Sequence, residues 1–247
     1  MLRTMLSAFA WGFLAASSLI LGGVIALAWR MPNRVLGLVM GFGSGVLISA
    51  VAYELVLDAF DSSAGNGGLA LGLITGSLVF YAGDTLIDRM GGAERKSTKG
   101  AQAEGSPLAI VLGIVLDGVP ESIVLGLTIL AGGSVSPAFL SAVFISNLPE
   151  SISATSGLVQ SGWSRLQIHG LWLAVALVSG LAALSGYGLF ESASPNTVAY
   201  VQAFAGGAIL TMLADTMMPE AFEHGGKLVG VVTTIGFGVA FALSSLE

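Results

Sequence analysis

The stretch 107–131, PLAIVLGIVLDGVPESIVLGLTILA, decides the fold of this protein. Its length is close to the roughly 20 apolar residues that a helix needs to cross the hydrocarbon core of a bilayer. Two carboxylates, Asp117 and Glu121, interrupt the apolar run near its middle. The stretch therefore predicts a transmembrane helix that carries ionisable groups at its centre.

The composition of the whole chain is typical of a membrane protein. Hydrophobic residues make up 54% and charged residues 10% of the 247 residues, against roughly 25% charged residues in an average soluble protein. The chain has no cysteine, which excludes a disulfide framework and a thiolate metal site. Its net charge of −6 is modest, and no basic cluster suggests a nucleic-acid partner. The first partner that the composition predicts is the lipid bilayer.

Further apolar runs predict an all-α integral membrane protein, a bundle of eight transmembrane helices within one domain, residues 1–247. The predicted spans are 6–29, 35–57, 67–88, 107–131, 136–160, 168–190, 198–219 and 226–245. A polar loop, residues 89–106, separates spans three and four. We expect spans four and five to be kinked and to lie at the centre of the bundle.

The basic residues predict the orientation of these spans. In an eight-span layout, eight of the nine lysines and arginines fall in connections on one side, and only Arg3 falls on the other. Those eight residues are Arg30, Arg34, Arg89, Arg95, Lys96, Lys99, Arg165 and Lys227. Because basic loops stay in the cytoplasm, both termini are expected outside it. The prediction is a multi-pass protein of the plasma (inner) membrane.

A repeated motif marks spans four and five. Span four reads Asp117-Gly118-Val119-Pro120-Glu121-Ser122-Ile123, and span five reads Ser146-Asn147-Leu148-Pro149-Glu150-Ser151-Ile152. Proline has no N–H and clashes with the preceding turn, so each proline is expected to kink its helix and to free a backbone carbonyl. A free carbonyl at membrane depth is tolerated where it lines a cavity. The repeat therefore predicts a polar site in the middle of the bundle.

Helical spacing collects oxygen donors around the two prolines. Asp117 and Glu121 are four residues apart and share a helix face, as do Ser146 and Glu150, with Asn147 one turn before Glu150. An intramembrane acid costs about 2.5–3.5 kcal/mol on insertion scales, and no basic residue lies deep in any span to offset it. If the two faces meet, three carboxylates, an amide oxygen and a hydroxyl converge. That set predicts a binding site for a divalent cation.

At these residues the chain resembles the ZIP (Zrt/Irt-like) family of divalent metal transporters. Residues 147–150 are similar to the family's fifth-span motif, 120–121 to its fourth-span motif, and 215–220 to its acidic stretch on span seven. The resemblance implies eight spans, extracytoplasmic termini and a variable cytoplasmic loop after span three. It also implies central metal ligands at Glu121 and Glu150. Asp117 and Ser146 would complete one site, and Asn147 would contribute to a neighbouring one.

The departures from the family pattern bear on the metal. Asp117 and Gly118 stand where the family usually has His-Asn, so no imidazole is present. Oxygen donors suit harder ions such as manganese, and zinc also binds carboxylates. The expected substrate is therefore zinc, iron or manganese, with cadmium as a further candidate, moved toward the cytoplasm. A homodimer is the candidate assembly.

Three acids outside the central motif are further predicted ligands. Glu54, near the outer end of span two, is predicted to bind metal at the entrance. Asp215 and Glu220, toward the cytoplasmic end of span seven, are predicted to relay metal to the cytoplasm.

Two other functions compete with metal transport. An intramembrane aspartyl protease would use Asp84 and Asp117, because two carboxylates can share a proton and activate water. A proton-coupled carrier of an organic solute would use the same buried acids. The duplicated Pro-Glu motif has no role in a protease, so the leading prediction is a transporter and not an enzyme.

Overall fold

The computed structural model describes residues 2–63, 68–93, 107–132 and 134–245, which form helices joined by turns and contain no strand. We number the helices α1 (Leu2–Ala28), α2 (Asn33–Ser62), α3 (Gly68–Gly92), α4 (Pro107–Gly132), α5 (Pro137–Gln160), α6 (Arg165–Phe190), α7 (Pro195–Gly225) and α8 (Leu228–Ser244). The prediction of an all-α fold is confirmed for the described residues.

Six of these helices, α1 to α4, α6 and α7, are long and apolar enough to cross a membrane. The apolar helix α8 is shorter. The helix α5 is long enough but is rich in serine and also carries Asn147 and Glu150. It packs between α1 and α2, so its surface meets other helices and tolerates polar residues. The fold is that of a helical membrane protein, and the number of spans stays a prediction.

The helix ends differ from the predicted boundaries at several places. The helix α1 begins at Leu2, α3 continues through a π-helical turn to Gly92, and α7 extends to Gly225. Hydropathy marks only the part of a helix that matches the bilayer core, whereas a helix continues into polar sequence until its backbone is capped. The predicted loop 89–106 therefore begins later than expected, and its residues 94–106 lie outside the described residues.

The helices pack as two blocks that are interleaved along the chain. In the first block, α1 packs closely on α5 and α6, and α4 packs on α6. In the second block, α2 packs on α7 and α8, and α3 packs on α7. The two blocks meet mainly where α5 lies against α2 and where α4 lies against α3 and α7. The two helices with the Pro-Glu motif thus belong to one block, and both face the other.

Glycines set the close packing inside each block. A Cβ atom added to Gly186 on α6 would overlap the backbone carbonyl of Ile123 on α4. In the other block, a Cβ on Gly76 of α3 would overlap the carbonyl of Phe204 on α7. Small residues let helix backbones approach in this way where lipid offers no hydrophobic driving force. Each block is therefore held together by backbone-to-backbone contact.

Candidate functional site

The five residues predicted at the centre of the site are all buried. Their exposed fractions are 2% for Asp117, 2% for Glu121, 1% for Ser146, 6% for Asn147 and 6% for Glu150. Every lysine and arginine that the structure describes is exposed. The three buried carboxylates therefore lie in a region without buried lysine or arginine among the described residues.

The ligand face of α5 is turned toward the second block. Ser146, Glu150 and Ser153 follow one another at helical spacing and share this face. A Cβ added to Gly43 of α2 would lie 3.1 Å from the Cα atom of Ser146 and 3.3 Å from the terminal methyl of Met217 on α7. The glycine lets α2 approach α5 at the level of the predicted ligands. The site therefore lies at the boundary between the two blocks.

One side of α4 carries both the buried acids and a residue that lines a cavity. Asp117, Glu121 and Thr128 are spaced so that they lie along one side of the helix. Thr128 lines a cavity of about 630 Å³ together with Glu54 of α2 and Ser136 at the start of α5. The cavity lies at the end of the bundle where α2 and α8 finish, and Thr128 is two turns along α4 from Glu121.

Glu54 is one of the residues that line this cavity. Glu54 lies in a π-helical segment of α2, Val51–Leu57, and is half-buried. Its Oε2 atom accepts a hydrogen bond of 2.8 Å from the hydroxyl of Ser136. That serine caps α5, because its Oγ also accepts from the backbone N–H of Phe139 at 3.1 Å. Glu54 is therefore tied to the first turn of the helix that carries Glu150.

The two acids predicted on α7 have different environments. Glu220 is half-buried, and its Oε1 atom accepts a hydrogen bond of 2.7 Å from Ser153 of α5. The Nε2 atom of His224 lies 3.9 Å from the same oxygen. Asp215 lies in a second π-helical segment, Leu213–Met217, and is exposed. The structure thus brings Glu220 to the ligand-bearing helix and leaves Asp215 apart from it.

The convergence of three carboxylates is not seen in the structure. Among the described residues, no group of three or more His, Cys, Asp or Glu side chains is placed to hold a metal ion. The physical reason lies in the packing, since α4 and α5 hardly touch each other and are instead held by α6 and α1. The predicted ligands therefore lie buried on two helices and form no assembled cluster among the described residues.

Sequence reasoning missed two polar residues of this region. Ser136 and Ser153 bond to carboxylates that lie 82 and 67 positions away along the chain. The Ser136-Pro137 pair is a recognisable helix start, since serine favours the N-cap and proline the first turn. No comparable signal in the sequence identifies the partner of either serine.

A buried aspartate on α3 borders the same region. Asp84 is 8% exposed. A Cβ added to its neighbour Gly83 would lie 3.3 Å from the side chain of Leu116, the residue before Asp117 on α4. The acid that the protease hypothesis requires is therefore buried on a helix that packs against α4.

Taken together, the arrangement offers buried oxygen donors on two helices, a cavity two turns along α4 from Glu121, and two further acids that accept hydrogen bonds from Ser136 and Ser153. Oxygen donors of these kinds can bind a divalent cation. No protein-family model matches the chain, and no curated protein matches it in sequence.

Proposed function

We propose that this protein is a ZIP-like carrier that moves a divalent metal cation, zinc, iron or manganese, across the membrane toward the cytoplasm. The observation that carries the proposal is the burial of Asp117, Glu121 and Glu150 in a region without buried lysine or arginine among the described residues. Acids inside a membrane helix are costly and are a mark of a functional site. A bound cation would offset that cost.

The donor set agrees with this substrate class. Two carboxylates on α4 and one on α5 are accompanied by the amide of Asn147 and the hydroxyl of Ser146. Manganese and iron accept oxygen ligands, and zinc binds carboxylates together with other donors. Because the carboxylates are not assembled in advance, the metal itself would draw the faces of α4 and α5 together. Binding would then be coupled to a movement of helices.

Transport needs access from both sides in turn, and the two blocks provide the moving parts. In many carriers one helix bundle rocks against another around a site near the bilayer midplane. Here the ligand face of α5 lies at the boundary between the blocks, and glycines bring the helices within each block into close contact. Glu54 would act at the extracytoplasmic entrance and Glu220 at the cytoplasmic exit, in a layout of eight spans with both termini outside. The proposal does not require Asp215.

The test is metal uptake by proteoliposomes that contain the purified protein. Glu121→Ala and Glu150→Ala are each expected to lower the uptake of the preferred metal at least tenfold. Glu191→Ala is the matched control, since Glu191 is exposed at the end of α6 and lies far along the chain from the motif. Uptake that continues at the wild-type rate in both motif variants would overturn the assignment.

Proteolysis is the second candidate, because Asp84 is buried on a helix that packs against α4. Cleavage of a membrane peptide that is lost in Asp84→Asn and insensitive to chelators would replace the transport proposal.

A further inference from the structure

Two serines of α5 donate hydrogen bonds across the boundary between the blocks, one at each end of the predicted metal site. Ser136 donates to Glu54 on α2, and Ser153 donates to Glu220 on α7. We propose that these two bonds are latches, and that opening one of them while the other stays closed gives the site access to one side of the membrane. The inference rests on the proposed function, because it assumes that the blocks move relative to each other.

The first latch joins three parts of the protein at one point. The backbone N–H of Ser136 donates to the hydroxyl of Thr128 on α4 at 3.3 Å. Its side chain caps α5 and donates to Glu54 at 2.8 Å. Separation of the blocks at this end must break the bond to Glu54. It leaves the cap and the Thr128 contact intact, because both lie within the first block.

The second latch closes the opposite end of the boundary. Ser153 is fully buried, and its hydroxyl lies 2.7 Å from the Oε1 atom of Glu220. His224, one turn further along α7, lies 3.9 Å from that same oxygen. Next to it, a Cβ on Gly37 of α2 would meet the Cβ of His224 at 2.8 Å, so α2 and α7 are packed tightly here. The acceptor carboxylate is therefore fixed to the second block.

The position of the latches along α5 gives them their role. At a rise of about 1.5 Å per residue, Ser136 and Ser153 are roughly 25 Å apart. Ser146, Asn147 and Glu150 lie between them on the same helix. In this structure both latches are closed, so the ligand face of α5 is pinned to the second block above and below the site. A sliding or rocking movement of the first block has to release at least one latch.

A bond of the same kind inside one block supplies the comparison. The hydroxyl of Thr211 on α7 donates to that of Ser77 on α3 at 2.7 Å. Both helices belong to the second block, so movement between the blocks leaves this bond unchanged. Loss of the Ser77 hydroxyl should affect the packing of the block and not the access to the site.

The absence of cysteine in the chain makes the test direct, since each introduced thiol is the only one. Val124→Cys reports on the Glu54 end, because Val124 is buried one turn from Glu121 toward the cavity. Met217→Cys reports on the Glu220 end, because Met217 is buried beside Gly43 and lies one turn before Glu220 on α7. The rate at which a water-soluble thiol reagent modifies each reporter is measured in detergent micelles without metal.

Each latch variant should open its own end. Ser136→Gly removes the hydroxyl donor, while glycine still serves as an N-cap. This variant is expected to raise the labelling rate of Val124→Cys about tenfold or more, because that is the usual effect of losing a hydrogen bond to a charged group. The rate at Met217→Cys should stay the same. Ser153→Ala should give the reverse pattern, and Ser77→Ala should change neither rate. Glu54→Gln, which keeps an acceptor oxygen but removes the charge, should raise the labelling rate of Val124→Cys less than Ser136→Gly does.

The latch proposal is wrong if Ser136→Gly and Ser153→Ala leave both labelling rates within twofold of the parent rates. The comparison uses protein that elutes as a single species. The latch proposal is also wrong if Ser77→Ala opens the ends equally well. The result is separable from the transport proposal. If the labelling rates change but the protein takes up no metal, the latch proposal stands and the transport proposal is wrong. If uptake depends on Glu121 but the labelling rates do not change, the transport proposal stands and the latch proposal is wrong.

Discussion

At the scale of single residues, the account depends on carboxylates that are buried in a region without buried lysine or arginine among the described residues. Asp117 and Glu121 are each 2% exposed, and Glu150 is 6% exposed. An ionised carboxylate in such surroundings needs hydrogen bonds or a cation to stay charged. The charge on these residues should therefore decide whether metal stabilises the protein.

We expect variants in which a buried glutamate is replaced by the uncharged glutamine to lose the stabilisation by metal. At a metal concentration of about 100 times Kd, binding should stabilise the wild-type protein by about 2.7 kcal/mol. Glu121→Gln and Glu150→Gln keep the side-chain size but weaken metal binding, so the rise in Tm on addition of zinc or manganese should disappear. Thermal unfolding in detergent measures it.

Asp215→Asn is the control, because it removes one negative charge from an exposed position on α7. This variant should keep the full metal-dependent rise in Tm. If Asp215→Asn loses the rise while the two glutamine variants keep it, the ligands have been placed on the wrong helices.

Burial of the motif residues was easier to predict from the sequence than the identity of their partners. Helical spacing within long apolar runs is enough to place Glu121 and Glu150 inside the bundle. The bonds of Ser136 and Ser153 to Glu54 and Glu220 could not be predicted, because serine is common in membrane helices and each acceptor lies on a helix distant in sequence. Convergence of the acids depended on the two helix faces meeting, and spacing along a helix does not fix the distance between helices.

At the scale of helices, glycine contacts set which helices pair. A Cβ on Gly236 of α8 would overlap the carbonyl of Phe42 on α2, whereas a Cβ on Gly238 of the same helix would meet nothing within 4 Å. The two positions have the same residue type and differ only in what faces them. They therefore separate the effect of packing from that of helix propensity.

Gly236→Ala is expected to destabilise the protein by about 1–3 kcal/mol, the usual cost of overpacking. Gly238→Ala should leave stability unchanged or raise it by up to about 1 kcal/mol, since alanine is the better helix former. Denaturant unfolding in mixed micelles measures both values. Equal destabilisation by the two alanines would show that α2 and α8 are not packed as described.

Hydropathy predicted the apolar helices, yet α5 is long enough to span a membrane and is not among the six that are apolar enough. Its serines, Asn147 and Glu150 lower its hydropathy, and the packing of α1 and α2 around it makes that composition tolerable. The prediction of a span at 136–160 rested on the length of its apolar run. A stricter hydropathy criterion would have passed over the helix that carries three of the eight predicted ligands.

At the scale of the whole molecule, the division into two blocks is the feature that sequence reasoning could not supply. The first block consists of α1, α4, α5 and α6, and the second consists of α2, α3, α7 and α8. Nothing in local propensity or hydropathy encodes which helices pair across such distances. Because the ligand face of α5 lies against the second block, metal binding and block movement are expected to occur in one place.

The most direct test of the central claim is anomalous scattering from crystals of the protein grown with manganese or zinc. The account predicts a peak between α4 and α5, within coordination distance of the carboxylates of Glu121 and Glu150, and its absence in the Glu150→Gln variant. Fully ordered crystals with saturating metal and no peak there, with those two carboxylates packed separately against apolar neighbours, would contradict it.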